Sequence, residues 1–180
     1  MSGKVFSPRE LAYGGLFGAS ALLLPVVFHL VHLGNIFMPM YLPLVALAFF
    51  VRPLPAALTA LVVPMLSGAA TGMPPFYPPV ALIMAAELAV MTAVIAAIKQ
   101  YKPRWNEWVI LVPALILGRI VNIGLIYLFA GFIDLPAGFV AGASFISGWP
   151  GIILMLAVVP PLVRLAAPRK IVPGPQGEDK

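Results

Sequence analysis

Five polar side chains interrupt long apolar stretches of this sequence, and their types and spacing are the ones that could do chemistry: His29, His32, Glu87, Arg119 and Asn122. A charged or ionisable group in hydrocarbon is costly, so each such group kept inside an apolar run is a candidate for function. His29 and His32 are three residues apart, which puts them on one face of a helix. They could pack by hydrogen bonds near the headgroups or touch a ligand. A metal site would want a third His or a carboxylate at matched spacing, and the remaining acids do not supply it, so no metal is expected. Glu87 and Arg119 could neutralise each other as a structural pair inside a bundle, or one of them could contact a substrate. Asn122 shares a helix face with Arg119, whose guanidinium suits a carboxylate or phosphate.

The elements that position these residues are set by composition. Of 180 residues 62% are hydrophobic and 9% charged, against roughly a quarter charged in a typical soluble domain. Lipid is therefore the expected solvent. There is no cysteine, which removes disulfides and thiolate chemistry. No G-x-x-x-x-G-K-[ST], H-E-x-x-H or G-x-S-x-G sequence occurs, so neither ATP hydrolysis by a P-loop nor those hydrolytic mechanisms are expected. The polar segment 1–10 is short and has no convincing cleavage site behind it, so the apolar stretch that follows reads as a retained helix.

A hydrocarbon core of about 30 Å needs about 20 apolar residues in a helix. Runs of that kind cover roughly residues 11–33, 80–98, 108–130 and 144–166. Residues 41–70 are too long for one span and are broken by Arg52-Pro53-Leu54-Pro55, which predicts two helices, the first short or tilted. Charge placement supports the split, because cytoplasmic loops collect Lys and Arg. With six helices and both termini cytoplasmic, Lys4, Arg9, Arg52, Lys99, Lys102, Arg104, Arg164, Arg169, Lys170 and Lys180 all fall inside, ten of the eleven basic residues. The net charge of +5 then reflects topology, and no nucleic-acid partner is expected. The expected organisation is a cytoplasmic N-terminus over 1–10, an all-α integral membrane bundle of six transmembrane helices over 11–166 in the cell membrane, and a disordered cytoplasmic tail over 167–180.

In this topology the polar residues occupy the outer half or the midplane of the membrane. Two outer loops share that side: 34–40, with Asn35, and 71–79, with Met73, Tyr77 and four prolines. Stiff backbone carrying methionine and aromatic groups suits a lid over an organic ligand. The bland alternative is tight turns in an interfacial aromatic belt. Trp149, in Ser147-Gly148-Trp149-Pro150-Gly151 at the expected start of the sixth helix, is either an interfacial anchor or a stacking wall. On the first helix Gly14 with Gly18, and Gly15 with Ala19, form small-xxx-small pairs for close helix contact, either within the chain or with a separate membrane subunit.

The run His32 through Pro39-Met40 and Pro43, then Thr71-Gly72-Met73-Pro74-Pro75 with Pro79, Glu87-Leu88, Gly118-Arg119, and Gly148-Trp149-Pro150-Gly151 with Pro160 resembles the substrate-binding S components of energy-coupling factor vitamin transporters. The likeness covers roughly residues 10–165 and is greatest to the pantothenate-like and cobalamin-like groups. It implies a non-enzymatic six-helix subunit that captures a vitamin from outside and works with a membrane scaffold subunit and two ATPase subunits. It implies no cofactor on this chain, ATP being used by the partners. Members of the family often dock to the scaffold through an A-x-x-x-A motif on the first helix, and glycines occupy the comparable region here. By position, Glu87, Arg119, Asn122 and the two outer loops would border the substrate. Pantothenate fits a buried arginine; cobalamin and queuosine-type substrates stay open. The alternatives of a different class are an intramembrane lipid-modifying enzyme, with Glu87 and the histidines as acid and base, and a small structural or assembly protein of the membrane.

Overall fold

A computed structural model describes residues 6–30, 38–132 and 137–166, and among them every regular element is a helix. In chain order these are α1 (Pro8–Leu30), α2 (Tyr41–Leu47), α3 (Pro53–Thr71), α4 (Val80–Tyr101), α5 (Glu107–Ala130) and α6 (Ala137–Ala166). Five of them are long and apolar enough to cross a membrane, and the chain is a multi-pass membrane protein. The exception is α2, whose 7 residues rise only about 10 Å.

Local chemistry sets the helix ends. At the start of α1 the Glu10 amide donates to Ser7 Oγ at 3.2 Å and the Ser7 amide donates to Glu10 Oε2 at 2.9 Å. This reciprocal box satisfies two donors that a helix start would otherwise leave open. Pro53 opens α3 at its first position, where the missing N–H goes unnoticed. Gly72 closes α3 with φ +74°, a conformation that favours glycine, and its amide donates to the Gly68 carbonyl at 2.9 Å. Asn106 caps α5 by accepting from the Trp108 amide at 3.2 Å. The α1 box should be measurable: Ser7→Ala is expected to lower stability by about 1 kcal/mol, read by unfolding in mixed micelles.

The bundle is built around its shortest helix. α1, α3, α4, α5 and α6 follow one another except that α1 and α6 do not meet among the described residues, and α2 fills the space by packing on α1, α3, α4 and α6. Leu44, Val45, Ala46 and Leu47 have no exposed surface. After Leu47 the chain tightens, with Phe49 and Phe50 amides donating three residues back, a common way to end a helix in little space. The expectation of a short second helix thus becomes a buried plug. α1 is the opposite case, with 11% of its span buried; Leu16, Leu23 and Leu30 face outward.

The ends of the bundle differ in charge. Arg52 Nε donates to Glu10 Oε1 at 2.7 Å, which brings the start of α3 to the start of α1. Lys99 Nζ and Arg164 Nε both reach Glu107, at 3.2 and 3.0 Å. The start of α1, the end of α4, the start of α5 and the end of α6 therefore share one basic end. At the other end, residues 72–79 fold back onto α3: Ser67 Oγ donates to the Met73 carbonyl at 2.7 Å, and a side chain on Gly68 would meet the Pro74 carbonyl at 2.7 Å. Glycine is required there by a close backbone approach.

Candidate functional site

Glu87 is the most completely buried charge among the described residues, with no exposed surface. It lies about 10 Å from the Val80 start of α4, in the half of the bundle remote from the basic end. Arg119 and Asn122 come from α5, one turn apart on one face. Arg119 Nη2 donates to Glu87 Oε1 at 2.7 Å and Asn122 Nδ2 donates to Glu87 Oε2 at 2.9 Å. Tyr41, the first residue of α2, donates its hydroxyl to Oε2 at 2.6 Å. Three donors from two further helices thus converge on one carboxylate. A buried ion pair is tolerable only when its remaining polar capacity is met, and Glu87 meets that condition.

Arg119 does not. Its Nη1 is buried and has no hydrogen-bond partner among the described residues, although the residue as a whole is only 9% exposed. Nη2 also approaches Met38 Sδ at 3.7 Å, and the guanidinium carbon lies 5.8 Å from the Tyr41 ring centre. Two glycines make room for the cluster. A side chain on Gly148 of α6 would come within 2.9 Å of Nη1, and one on Gly118 within 3.0 Å of Met91 Sδ and 3.4 Å of Glu87 Oε1. Met38 holds φ +46° beside the arginine, a conformation that costs a non-glycine residue about 1 kcal/mol.

Of the residues singled out from sequence, the structure brings Glu87, Arg119 and Asn122 together. His32 and Asn35 lie outside the described residues, as does the side chain of His29. Met73 and Tyr77 stand exposed on the 72–79 loop, Tyr77 at 76%. Trp149 is half exposed on α6, one residue beyond the Gly148 that faces Arg119. It sits well inside α6, which starts at Ala137 rather than near residue 144. The segment before it, residues 137–147, is itself apolar enough to continue the helix, and its Gly and Ser residues do not stop it. Of the two glycine pairs, Gly14 and Gly18 face α3, where added side chains would meet Thr59 and Val63 at 3.3 and 3.5 Å. Gly15 has open space around it and Ala19 is exposed. Tyr41 has no place among the sequence candidates; Met38 lies in the 34–40 loop expected to border the site, and Gly148 in the Gly148-Trp149-Pro150-Gly151 run, neither singled out for a role. The one available signal for Tyr41 was a lone phenol heading an otherwise apolar stretch.

The described residues contain no group of three or more His, Cys, Asp or Glu that could hold a metal ion. No protein-family model matches the sequence, no curated protein matches it, and no solved structure matches the fold.

Proposed function

We propose that this chain is the substrate-binding S component of an energy-coupling factor type transporter in the cell membrane, capturing a vitamin or related micronutrient from outside. It passes the membrane six times in this reading, with α2 as a short second passage and both termini cytoplasmic. The clustering of Arg9, Arg52, Lys99 and Arg164 at one end supports that orientation, since cytoplasmic faces collect basic residues. A membrane scaffold subunit and two ATPase subunits supply the energy, and the outward Gly15–Ala19 face of α1 is open to such a partner.

The observation that carries the reading is that Nη1 of Arg119 has no hydrogen-bond partner among the described residues. A buried donor left without an acceptor costs about 1–3 kcal/mol, and a ligand oxygen arriving from the outer side removes that penalty. Because Glu87 already offsets the charge of Arg119, the cluster offers one directed donor rather than a bare cation. An amide carbonyl or one oxygen of a carboxylate meets that demand, and pantothenate carries both. Cobalamin and queuosine-type ligands carry acceptors too. Glu87, held by three donors, is poorly placed to accept a proton from a lipid substrate, which weighs against the enzymatic alternative.

Arg119→Lys tests this directly. Lysine keeps the positive charge that Glu87 needs but cannot present two donors in a fork. A panel of water-soluble vitamins, scored by thermal stabilisation of the purified protein, should yield at least one binder whose affinity falls about tenfold or more in the variant. Equal affinity in both proteins would return Arg119 to a purely structural role.

A further inference from the structure

The basic end, remote from Arg119, holds a cavity lined by charged side chains. This cavity of about 370 Å³ opens between the start of α1, the residues that follow α2 and the last turns of α4. That is within the size range of small-ligand sites. Arg9, Arg52 and Lys99 line it, with Glu10 as the one acid among the described residues of the lining, Gln100 as a neutral hydrogen-bonding group, and Phe49 and Phe50 as its aromatic part. Glu10 is matched by Arg52. Lys99 leans on Glu107, but Glu107 already has Arg164 at 3.0 Å. Arg9 lies over the Tyr13 ring at 5.4 Å and makes no ion pair among the described residues. Three cations against one carboxylate leave the lining with an excess of positive charge.

We propose that this cavity binds a phosphate-bearing anion. The guanidinium and ammonium donors match phosphate oxygens, and Glu10 keeps Arg52 oriented toward the space. Two sources supply that chemistry, a phospholipid headgroup and free phosphate. The lipid source is consistent with the aromatic part, where Phe50 stacks on Tyr13 and Phe17 at 5.5 and 5.7 Å, and with the outward Leu11 beside it on α1. Basic pockets between membrane helices commonly take anionic headgroups.

The test is native mass spectrometry of the full chain in detergent with added phosphatidylglycerol or phosphatidylcholine, and with inorganic phosphate as competitor. Arg9→Gln/Lys99→Gln removes two lining charges while Arg164 still partners Glu107. Lys102→Gln/Arg104→Gln removes the same charge from the 102–106 connection, outside the cavity lining. Phosphatidylglycerol should be retained over phosphatidylcholine, with retention roughly tenfold lower in the first variant and unchanged in the second. If phosphate displaces the lipid, or is retained in its place and lost in the first variant only, the occupant is free phosphate. Equal retention of both lipids without phosphate binding, or equal losses in the two variants, overturns the proposal.

Discussion

Arg119→Met should destabilise the folded protein by roughly 3–5 kcal/mol, and Glu87→Gln introduced on top of it should restore most of that loss. The single change leaves the Glu87 carboxylate fully buried with only Tyr41 and Asn122 to hold it. A charge in that fully buried position would have lost its counter-ion. The double change removes both charges and keeps an amide that can use the Tyr41 hydroxyl and Asn122. The measurement is a double-mutant cycle by unfolding in mixed micelles, in which neighbouring groups of this kind depart from additivity. Additive losses would mean that the pair is not coupled as its 2.7 Å contact requires.

Leu44→Ala should cost about 2 kcal/mol or more, whereas Leu23→Ala should change stability little. Leu44 has no exposed surface and Leu23 is 65% exposed. In lipid the apolar environment is similar in and out of the bundle, so the difference comes from lost packing contacts rather than transfer from water. The two substitutions delete the same atoms from two helices that hydropathy alone treats alike. A similar loss at both positions would place α2 at the lipid face rather than at the centre.

That contrast shows where the sequence was informative. The long helices were legible because an apolar run of sufficient length in a chain this poor in charge has few other solutions, and the proline-arginine break before α3 marked the end of the second segment. Hydropathy could not show that α2 is a plug, since lipid-facing and protein-facing positions are equally apolar in a membrane. The same limit hid the split between Gly14–Gly18, turned toward Thr59 and Val63, and Gly15–Ala19, turned outward; both registers read as small-xxx-small. Glu87, Arg119 and Asn122 were visible because polar groups at that depth are expensive. Tyr41 was not, because a single phenol is ordinary near a helix end and only the tertiary fold aims it at Glu87. The Ser7–Glu10 box is readable from its S-x-x-E spacing.

In the proposed function, the Arg119 cluster holds a small water-soluble molecule that arrives from the outer side. The test is to purify the full chain from membranes without added ligand and to identify by mass spectrometry what stays bound. The expected result is a vitamin-class molecule at near-stoichiometric amount, carrying an amide or carboxylate oxygen and depleted in Arg119→Lys. A co-purified lipid that the protein converts to product, with no such molecule present, would contradict it.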